Sequence, residues 1–270
     1  MQATLPGQNR TGATASPQGT QAMTAAVNEL MPPVPIDTGA MEAERLLYID
    51  QSDNVGSIPP PATMGGALRA GMARLKGGEP GVLMDKIGER IAFERGGTRL
   101  YEALLAKYQA TTRVAGEVLP PAGEVHEVAE AQGLAVLAPV AGEAPTQTLL
   151  RIRSEEVQHF RLLCEAMQQL GGDPTAQTPC ADVIATASMG LMQVVADPRT
   201  TLAQSLNAIL SAELTDNAGW ELLIQLAEHS GESELAGRFL GALAQEQEHL
   251  VTIKGWLAAL VTQGSGTPAV

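Results

Sequence analysis

The chain of 270 residues has 30 acidic and 17 basic side chains, a formal net charge of −13. This balance argues against nucleic acid as the main partner, because phosphates would be repelled. Hydrophobic residues make up 44% of the chain and aromatic residues only 3%, which favours an all-α protein of packed helices over a β-sandwich.

The cysteines and the N-terminus bear on the cellular compartment. Cys164 and Cys180 form neither a disulfide framework nor a CxxC metal motif. No basic segment precedes an apolar run at the N-terminus, and no run of about 18 apolar residues is present. We therefore expect a cytoplasmic protein with neither a membrane nor a nucleic acid as its partner.

The first part of the chain differs in composition from the rest. Residues 1–40 are rich in Gln, Thr, Ala, Gly and Pro and show no apolar period. We predict that residues 1–80 form a disordered or extended N-terminal tail with room for short helices, one of them at 64–75. Such a tail can dock a partner that the sequence does not identify.

Residues 81–264 have the pattern of a helical domain, which a short C-terminal tail, 265–270, follows. Gly171 to Pro174 ends the second helix, and Asp197 with Pro198 predicts the start of the third. Gly231 predicts a tight antiparallel hairpin between the third and the fourth. The four predicted helices cover 84–111, 147–171, 198–229 and 232–262.

Two longer connections separate these helices. The first, 112–146, is rich in Gly, Pro and Ala and has room for about one turn of helix near 124–130. The second, 172–197, includes an apolar stretch and is long enough to cross from one end of a bundle to the other.

Each predicted helix has an inward face, read at alternating spacings of three and four residues, that is apolar at both ends and polar in the middle. An isolated buried carboxylate is costly, and four in one layer would repel each other strongly. Divalent metal ions would supply the missing positive charge. The interrupting residues are Glu94, Glu156, His159, Glu213, Glu246 and His249.

The histidines stand in two Glu-x-x-His motifs, Glu156 to His159 and Glu246 to His249. A spacing of three residues places both side chains on one helix face, one turn apart. A glutamate can then bridge two metals while each imidazole binds one of them. Mixed oxygen and nitrogen ligands suit iron or manganese, and zinc remains an option.

The two halves of this domain also repeat. Glu94 is followed seven residues later by Tyr101, and Glu213 is followed seven residues later by Trp220. Each half then continues to a helix with a Glu-x-x-His motif. This repetition predicts two helix pairs related by a pseudo-twofold axis.

This motif set resembles the ferritin-like di-iron carboxylate superfamily, which includes bacterioferritins and rubrerythrins, over residues 84–262. The resemblance implies a ferritin-like antiparallel four-helix bundle with a long crossover that holds two Fe ions, with Mn possible. It also implies that the protein oxidises Fe(II) or reduces O₂ or peroxide. Tyr101 matches the tyrosine near the metals in many members and is the candidate catalytic residue. Without paired CxxC motifs, the chain departs from rubrerythrins that carry their own rubredoxin-like iron.

Two other functions are compatible with the same residues. A di-iron oxidase or oxygenase of an organic substrate would need a cavity beside the metals, for which Gly96, Gly97 or Gly219 could leave space. A non-enzymatic scaffold would use the metal only to stabilise its fold. Since ferritin-like bundles commonly pair through helix faces, we expect a homo-oligomer, a dimer.

Some polar residues near the motifs have open or minor roles. Asp216, one turn after Glu213, is either an additional ligand or the acceptor of a hydrogen bond from a ligating histidine. Glu155 and Glu248 are rotated away from the ligand face and are expected on the surface. Exposed positions are also expected for His126 and His229.

Overall fold

The computed structural model describes residues 16–31, 34, 37–57, 64, 68, 80–131, 133 and 137–264. These described residues form α-helices and no β-strand, which confirms the all-α prediction. The chain divides into two compact units, residues 1–52 and 53–270. The helices are α1 (Pro17–Leu30), α2 (Gly39–Gln51), α3 (Pro80–Ala115), α4 (Ala122–Ala131), α5 (Pro145–Gln169), α6 (Pro179–Ala196), α7 (Leu202–His229) and α8 (Ser233–Gly264).

The first unit contains α1 and α2, neither of which has a buried residue. The side chain of Ser16 caps α1 by accepting from the Gly19 backbone N–H, and Pro17 occupies the first turn. Residues 17–30 are thus a short helix within the segment predicted as a tail with room for short helices, and this local start signal outweighs the polar composition. The helix predicted at 64–75 lies outside the described residues except for Met64 and Leu68.

The second unit contains the four predicted helices as α3, α5, α7 and α8. Their ends differ from the predicted ends by about one helical turn at most. The predicted start of α7 at Asp197 and Pro198 is wrong, because Thr201 caps this helix through a reciprocal pair of bonds with Gln204. Asp197 instead follows the last residue of α6 and binds Arg199.

Both long connections contain a helix. The connection 112–146 contains α4, which packs against α8, and the connection 172–197 contains α6, which packs against α3 and α7. Thr178 caps α6 by accepting from the backbone N–H of Ala181 and also donates to the Asp85 carbonyl on α3. Each connection therefore adds to the packing of the domain.

Among the described residues, α6 alone is long and apolar enough to cross a membrane by length and composition. The sequence analysis expected no such segment. Of this helix, 17% is buried in the rest of the described chain.

The hydrophobic core has two clusters, with polar residues between them along each long helix. On α3, Ile91 belongs to one cluster and Tyr101 to the other, and the buried Glu94 lies between them. On α8, Phe239 belongs to the first cluster and Ile253 to the second, and the motif at 246–249 lies between them. The predicted apolar–polar–apolar pattern is therefore present. In addition, α3 packs against α5 and α7, and α8 packs against α7 and α5.

Candidate metal centre

All six predicted ligands lie in one buried layer of the second unit. Helix α3 contributes one glutamate, α7 contributes another, and α5 and α8 each contribute a glutamate and a histidine. None is more than 2% exposed, and their ligand atoms form overlapping groups within 4.8 Å of one another. These residues are Glu94, Glu156, His159, Glu213, Glu246 and His249.

Glu246 lies at the centre of the layer. Its Oε1 is 2.6 Å from Nδ1 of His159, and its Oε2 is 3.3 Å from Nδ1 of His249. The two oxygens of one carboxylate therefore face two different imidazoles. If cations bind in this layer, Glu246 could help to hold one beside each histidine.

Three groups of possible ligands among the described residues share Glu246, and two of them include a histidine. The first, which we call the Glu94 position, also includes Glu94 and His159, with Oε2 of Glu94 3.9 Å from Nδ1 of His159. The second, the Glu213 position, also includes Glu156, Glu213 and His249. Its histidine Nδ1 is 3.7 Å from Oε1 of Glu156. The layer thus offers two neighbouring places for a cation.

Several of these buried ligand atoms have no hydrogen bond of acceptable geometry, and they face one another. They include Nδ1 of both histidines, Oε2 of Glu94 and Glu213, and both oxygens of Glu246. A buried polar atom without a partner costs folding free energy, so native proteins rarely contain such a cluster. Cations bound between these atoms would satisfy all of them together.

Each histidine is held through its other ring nitrogen. Nε2 of His159 is 3.0 Å from Oε1 of Gln245, and Nε2 of His249 is 2.8 Å from Oε2 of Glu155. These contacts leave Nδ1 facing the carboxylates, the role that outer partners have around metal-binding histidines. Glu155 is partly exposed and paired with Arg151, as a residue near the surface can be, but its contact with His249 was not predicted. A sequence signal did exist, because an acid or amide directly precedes the glutamate of each Glu-x-x-His motif.

Burial and mutual repulsion shift the pKa values of the acids. Burial, with Glu246 nearby, raises the pKa of Glu94 to about 7, and the same two causes raise the pKa of Glu213 to about 8. Burial, with Glu246 and Glu94, also raises the pKa of Glu156 well above its usual range. Without metal, these carboxyl groups therefore hold protons near neutral pH.

The opposite shifts occur at Glu246 and the histidines. Burial favours the neutral form of each group, but the attraction between Glu246 and the imidazoles is stronger. The pKa of Glu246 is consequently lowered, whereas the pKa values of His159 and His249 are raised. In the metal-free layer, protons on the imidazoles thus balance the central carboxylate.

A buried arginine, Arg90, lies in the same layer with 1% of its side chain exposed. It forms an ion pair with Asp216, and one of its terminal nitrogens is 3.3 Å from Oε1 of Glu94. Of the two roles left open for Asp216, that of an additional ligand has support, because its oxygen lies within 4.8 Å of oxygens of Glu94 and Glu246, although the carboxylate is paired with Arg90. The sequence analysis missed Arg90, although it precedes Glu94 by four residues and so shares its helix face.

The glycines considered for a substrate cavity have another role. A Cβ atom on Gly97 would overlap the carboxylate of Glu156, and one on Gly219 would lie 2.7 Å from Nη1 of Arg90. The space beside these two glycines is therefore filled by side chains of the layer, while a Cβ on Gly96 would meet nothing within 4 Å. A cavity of 790 Å³ lies elsewhere, among residues of α6, α7 and α8 that include Val194 and Lys254.

Tyr101 contacts this layer. Its hydroxyl donates a hydrogen bond to Oε1 of Glu213, and its ring lies edge-on to His249 with 6.4 Å between ring centroids. Burial and the nearby Glu213 raise the pKa of the phenol well above its usual range. The tyrosine therefore remains protonated and orients a predicted ligand.

An ionic network adjoins the layer on the side of His249. Arg151 binds Glu155 and Glu248, and Glu248 in turn accepts from Thr252. Nε2 of His126 on α4 is 2.8 Å from the Thr252 hydroxyl. Glu248 and His126 are both 3% exposed, so their predicted surface positions were wrong. Long-range packing, here of α4 on α8, was not visible in the sequence. His229 is exposed as predicted.

Comparisons of the chain with known protein families, with curated proteins and with solved structures found no match. What is shown is therefore an all-helical protein with buried groups of carboxylates and imidazoles that could hold metal.

Proposed function

We propose that residues 81–264 form a ferritin-like antiparallel four-helix bundle, with α3, α5, α7 and α8 as its helices and α6 within the long crossover. Support comes from the order of the ligands along the chain, which alternates between one glutamate and a Glu-x-x-His motif. Each of the four helices contributes to a single buried layer. As a ferritin-like protein, the chain would be a cytoplasmic homodimer.

The layer would bind two metal ions, and iron is the metal that we favour, with manganese as the alternative. The observation that carries this proposal is Glu246, whose two oxygens face Nδ1 of His159 and Nδ1 of His249. Carboxylate oxygens with one imidazole per cation are ligands that Fe(II) and Mn(II) accept. The buried atoms without partners fit the same assignment.

The proposed activity is oxidation of Fe(II) or reduction of O₂ or peroxide. Bound Fe(II) would supply the electrons for this reaction. The protein would contribute the carboxylates that stabilise the cations, the two oriented imidazoles, and the hydroxyl of Tyr101, which orients Glu213. Leu149, Ile152 and Trp220, each fully buried beside the layer, would exclude bulk water.

Metal analysis and Fe(II) oxidation together test the proposal. We expect about two metal ions per chain, as in other carboxylate bundles of this class, and a rapid absorbance change when Fe(II) and O₂ or peroxide are added to apoprotein. Glu246→Gln should abolish both metal uptake and oxidation. Glu165→Gln is the matched control, because Glu165 lies on α5 in an exposed ion pair with Arg238. A native protein that binds no metal would overturn the proposal.

The two alternatives make different predictions in the same experiment. A scaffold would bind metal and gain thermal stability without oxidising Fe(II). An oxygenase of an organic substrate needs space at the layer, but Glu156 and Arg90 fill the space beside Gly97 and Gly219. The geometry therefore favours the reaction of small oxidants.

A further inference from the structure

We infer that Arg90 makes the two metal positions unequal, so that the Glu213 position fills first and the Glu94 position binds its ion more weakly. This inference rests on the proposed metal centre and concerns how that centre fills. It follows from where the buried guanidinium of Arg90 lies. Arg90 binds Asp216 and lies 3.3 Å from Glu94, a ligand of the Glu94 position.

The positions differ in which of their carboxylates Arg90 engages. The Glu213 position comprises Glu156, Glu213, Glu246 and His249, and Glu156 also lies within 4.8 Å of Glu94 and Glu246, so it can serve either position. Asp216 could have been a further carboxylate of the Glu94 position, because its oxygen lies within 4.8 Å of those of Glu94, Glu156 and Glu246. Its ion pair with Arg90 engages this carboxylate.

The charge of the guanidinium acts in the same direction. An arginine stays positively charged even when buried, so Arg90, 3.3 Å from Oε1 of Glu94, would oppose a cation held by that carboxylate. Arg151, on the side of His249, binds Glu143, Glu155 and Glu248. Its charge is therefore balanced by three carboxylates, one of which, Glu155, contacts His249.

The overall charge of the layer is nevertheless suited to two ions. Five buried carboxylates and one buried guanidinium leave four negative charges, which two divalent cations would balance. Arg90 therefore permits a second ion while lowering its affinity. The carboxylates are Glu94, Glu156, Glu213, Asp216 and Glu246.

The two halves of the domain differ in sequence at the residues that make the two metal positions unequal. Counted from Glu94, Arg90 lies four residues before and Gly97 three residues after. Counted from Glu213, the corresponding residues are Ile209 and Asp216. The arginine and its aspartate thus come from opposite halves, and neither has a charged counterpart in the other half.

Anaerobic titration of the full-length apoprotein with Co(II) alone, followed by calorimetry and visible absorbance, tests this inference. We expect two binding steps with dissociation constants that differ by about tenfold or more. Glu213→Gln should weaken the first step, whereas Glu94→Gln should leave the first step and weaken the second. Two equal steps, or a first step that depends on Glu94 instead of Glu213, would overturn the inference while leaving the metal centre intact. Absence of any Co(II) binding would overturn the metal centre itself.

Variants of the ion pair predict changes of opposite sign. Arg90→Met should tighten the second step by about tenfold, because it removes the opposing charge and frees Asp216. Asp216→Asn should weaken the second step by a similar factor, and the double variant should lie between them. Arg99→Met, which removes an exposed positive charge from the same helix, should change neither step.

Folding of the variants is monitored by circular dichroism. If Arg90→Met does not fold, Asp216→Asn and the two glutamate variants still decide the question. A folded Arg90→Met protein with an unchanged or weaker second step would contradict the role of Arg90.

Discussion

Tyr101 and Trp220 occupy equivalent places in the two halves of the domain, and each packs edge-on against the histidine of the other half. The ring centroids of Tyr101 and His249 are 6.4 Å apart, and those of Trp220 and His159 are 5.5 Å apart. Each aromatic residue follows the glutamate of its own helix by seven residues. The two helix pairs therefore interlock through reciprocal contacts between aromatic residues and histidines.

The reciprocal contacts are not chemically identical. The hydroxyl of Tyr101 donates to Glu213, whereas the indole N–H of Trp220 has no hydrogen-bonding partner. Glu94 instead lies close to Arg90. The repeat thus places similar backbones around the layer, while different side chains give its two sides different electrostatics.

The hydrogen bond from Tyr101 predicts the effect of Tyr101→Phe. Because this bond stabilises the charged form of Glu213, its loss should raise the pKa of that carboxyl further and weaken metal binding at pH 7. We expect a loss of about fivefold, the equivalent of one hydrogen bond of about 1 kcal/mol. Metal titration of both proteins at several pH values measures this loss of affinity. The difference between them should become smaller as the pH rises.

Tyr108→Phe provides the control. Tyr108 lies two turns further along α3, is equally buried, and donates to Glu117 away from the layer. Its removal can lower stability but should leave metal affinity unchanged. Equal effects of the two substitutions on affinity would show that Tyr101 acts only through packing.

The neighbouring glycines Gly96 and Gly97 predict opposite outcomes. Gly97→Ala would place a methyl group against the carboxylate of Glu156, so we expect Glu156 to be displaced and metal affinity to fall by about tenfold or more. Gly96→Ala meets no atom within 4 Å. It should leave metal binding intact and stabilise the helix by roughly 0.5–1 kcal/mol. Thermal unfolding and metal titration of both variants check this pair, and retained binding in Gly97→Ala would contradict it.

The sequence was sufficient to predict the four long helices and to place six candidate ligands on their inward faces, because periodicity determines which side chains face the core. Glu94 and Glu213 could be found in this way, since each interrupts an otherwise apolar helix face. The same reasoning missed the contact of Glu155. Its helix position points away from the ligand face, but its long side chain reaches His249 on α8.

The environment of Arg90 also could not be read from helix periodicity. An arginine on an inward face is ordinarily assigned to solvent, and its burial depends on two residues of another helix. Asp216 supplies the opposite charge, and Gly219 leaves the space for the guanidinium. Such a contact depends on the register of α3 against α7, which a pattern within either helix does not determine.

The contact between Glu155 and His249 predicts an effect on metal affinity without the loss of a ligand. Glu155→Ala should release the imidazole ring and lower affinity by about tenfold. Glu155→Gln keeps an oxygen that can accept from Nε2 and should restore most of the affinity. Glu165→Ala, an exposed change on the same helix, is the control. Metal titration of both variants distinguishes the orientation of His249 from a general effect of charge. If only the charge mattered, Glu155→Gln would lower the metal affinity as much as Glu155→Ala.

The raised pKa values predict how the stability of the metal-free protein depends on pH. The pKa of Glu94 is raised from 4.5 to about 7 and that of Glu213 from 4.5 to about 8. Between pH 4.5 and these raised pKa values, the folded protein binds more protons than the unfolded chain. The free energy of unfolding must therefore fall as the pH rises through this window. The raised pKa of His159 acts in the same direction. The lowered pKa of Glu246 changes the stability only below pH 4.5, outside this window.

Thermal unfolding of apoprotein between pH 5 and pH 8 measures this dependence. We expect the midpoint to fall by about 5 °C or more over the range, and the fall to be smaller in Glu213→Gln, which has no proton to lose at that position. Bound metal should also make the midpoint depend less on pH, because cations replace the protons on the carboxylates. An apoprotein that becomes more stable from pH 5 to pH 8 would contradict the assignment of protons to these acids.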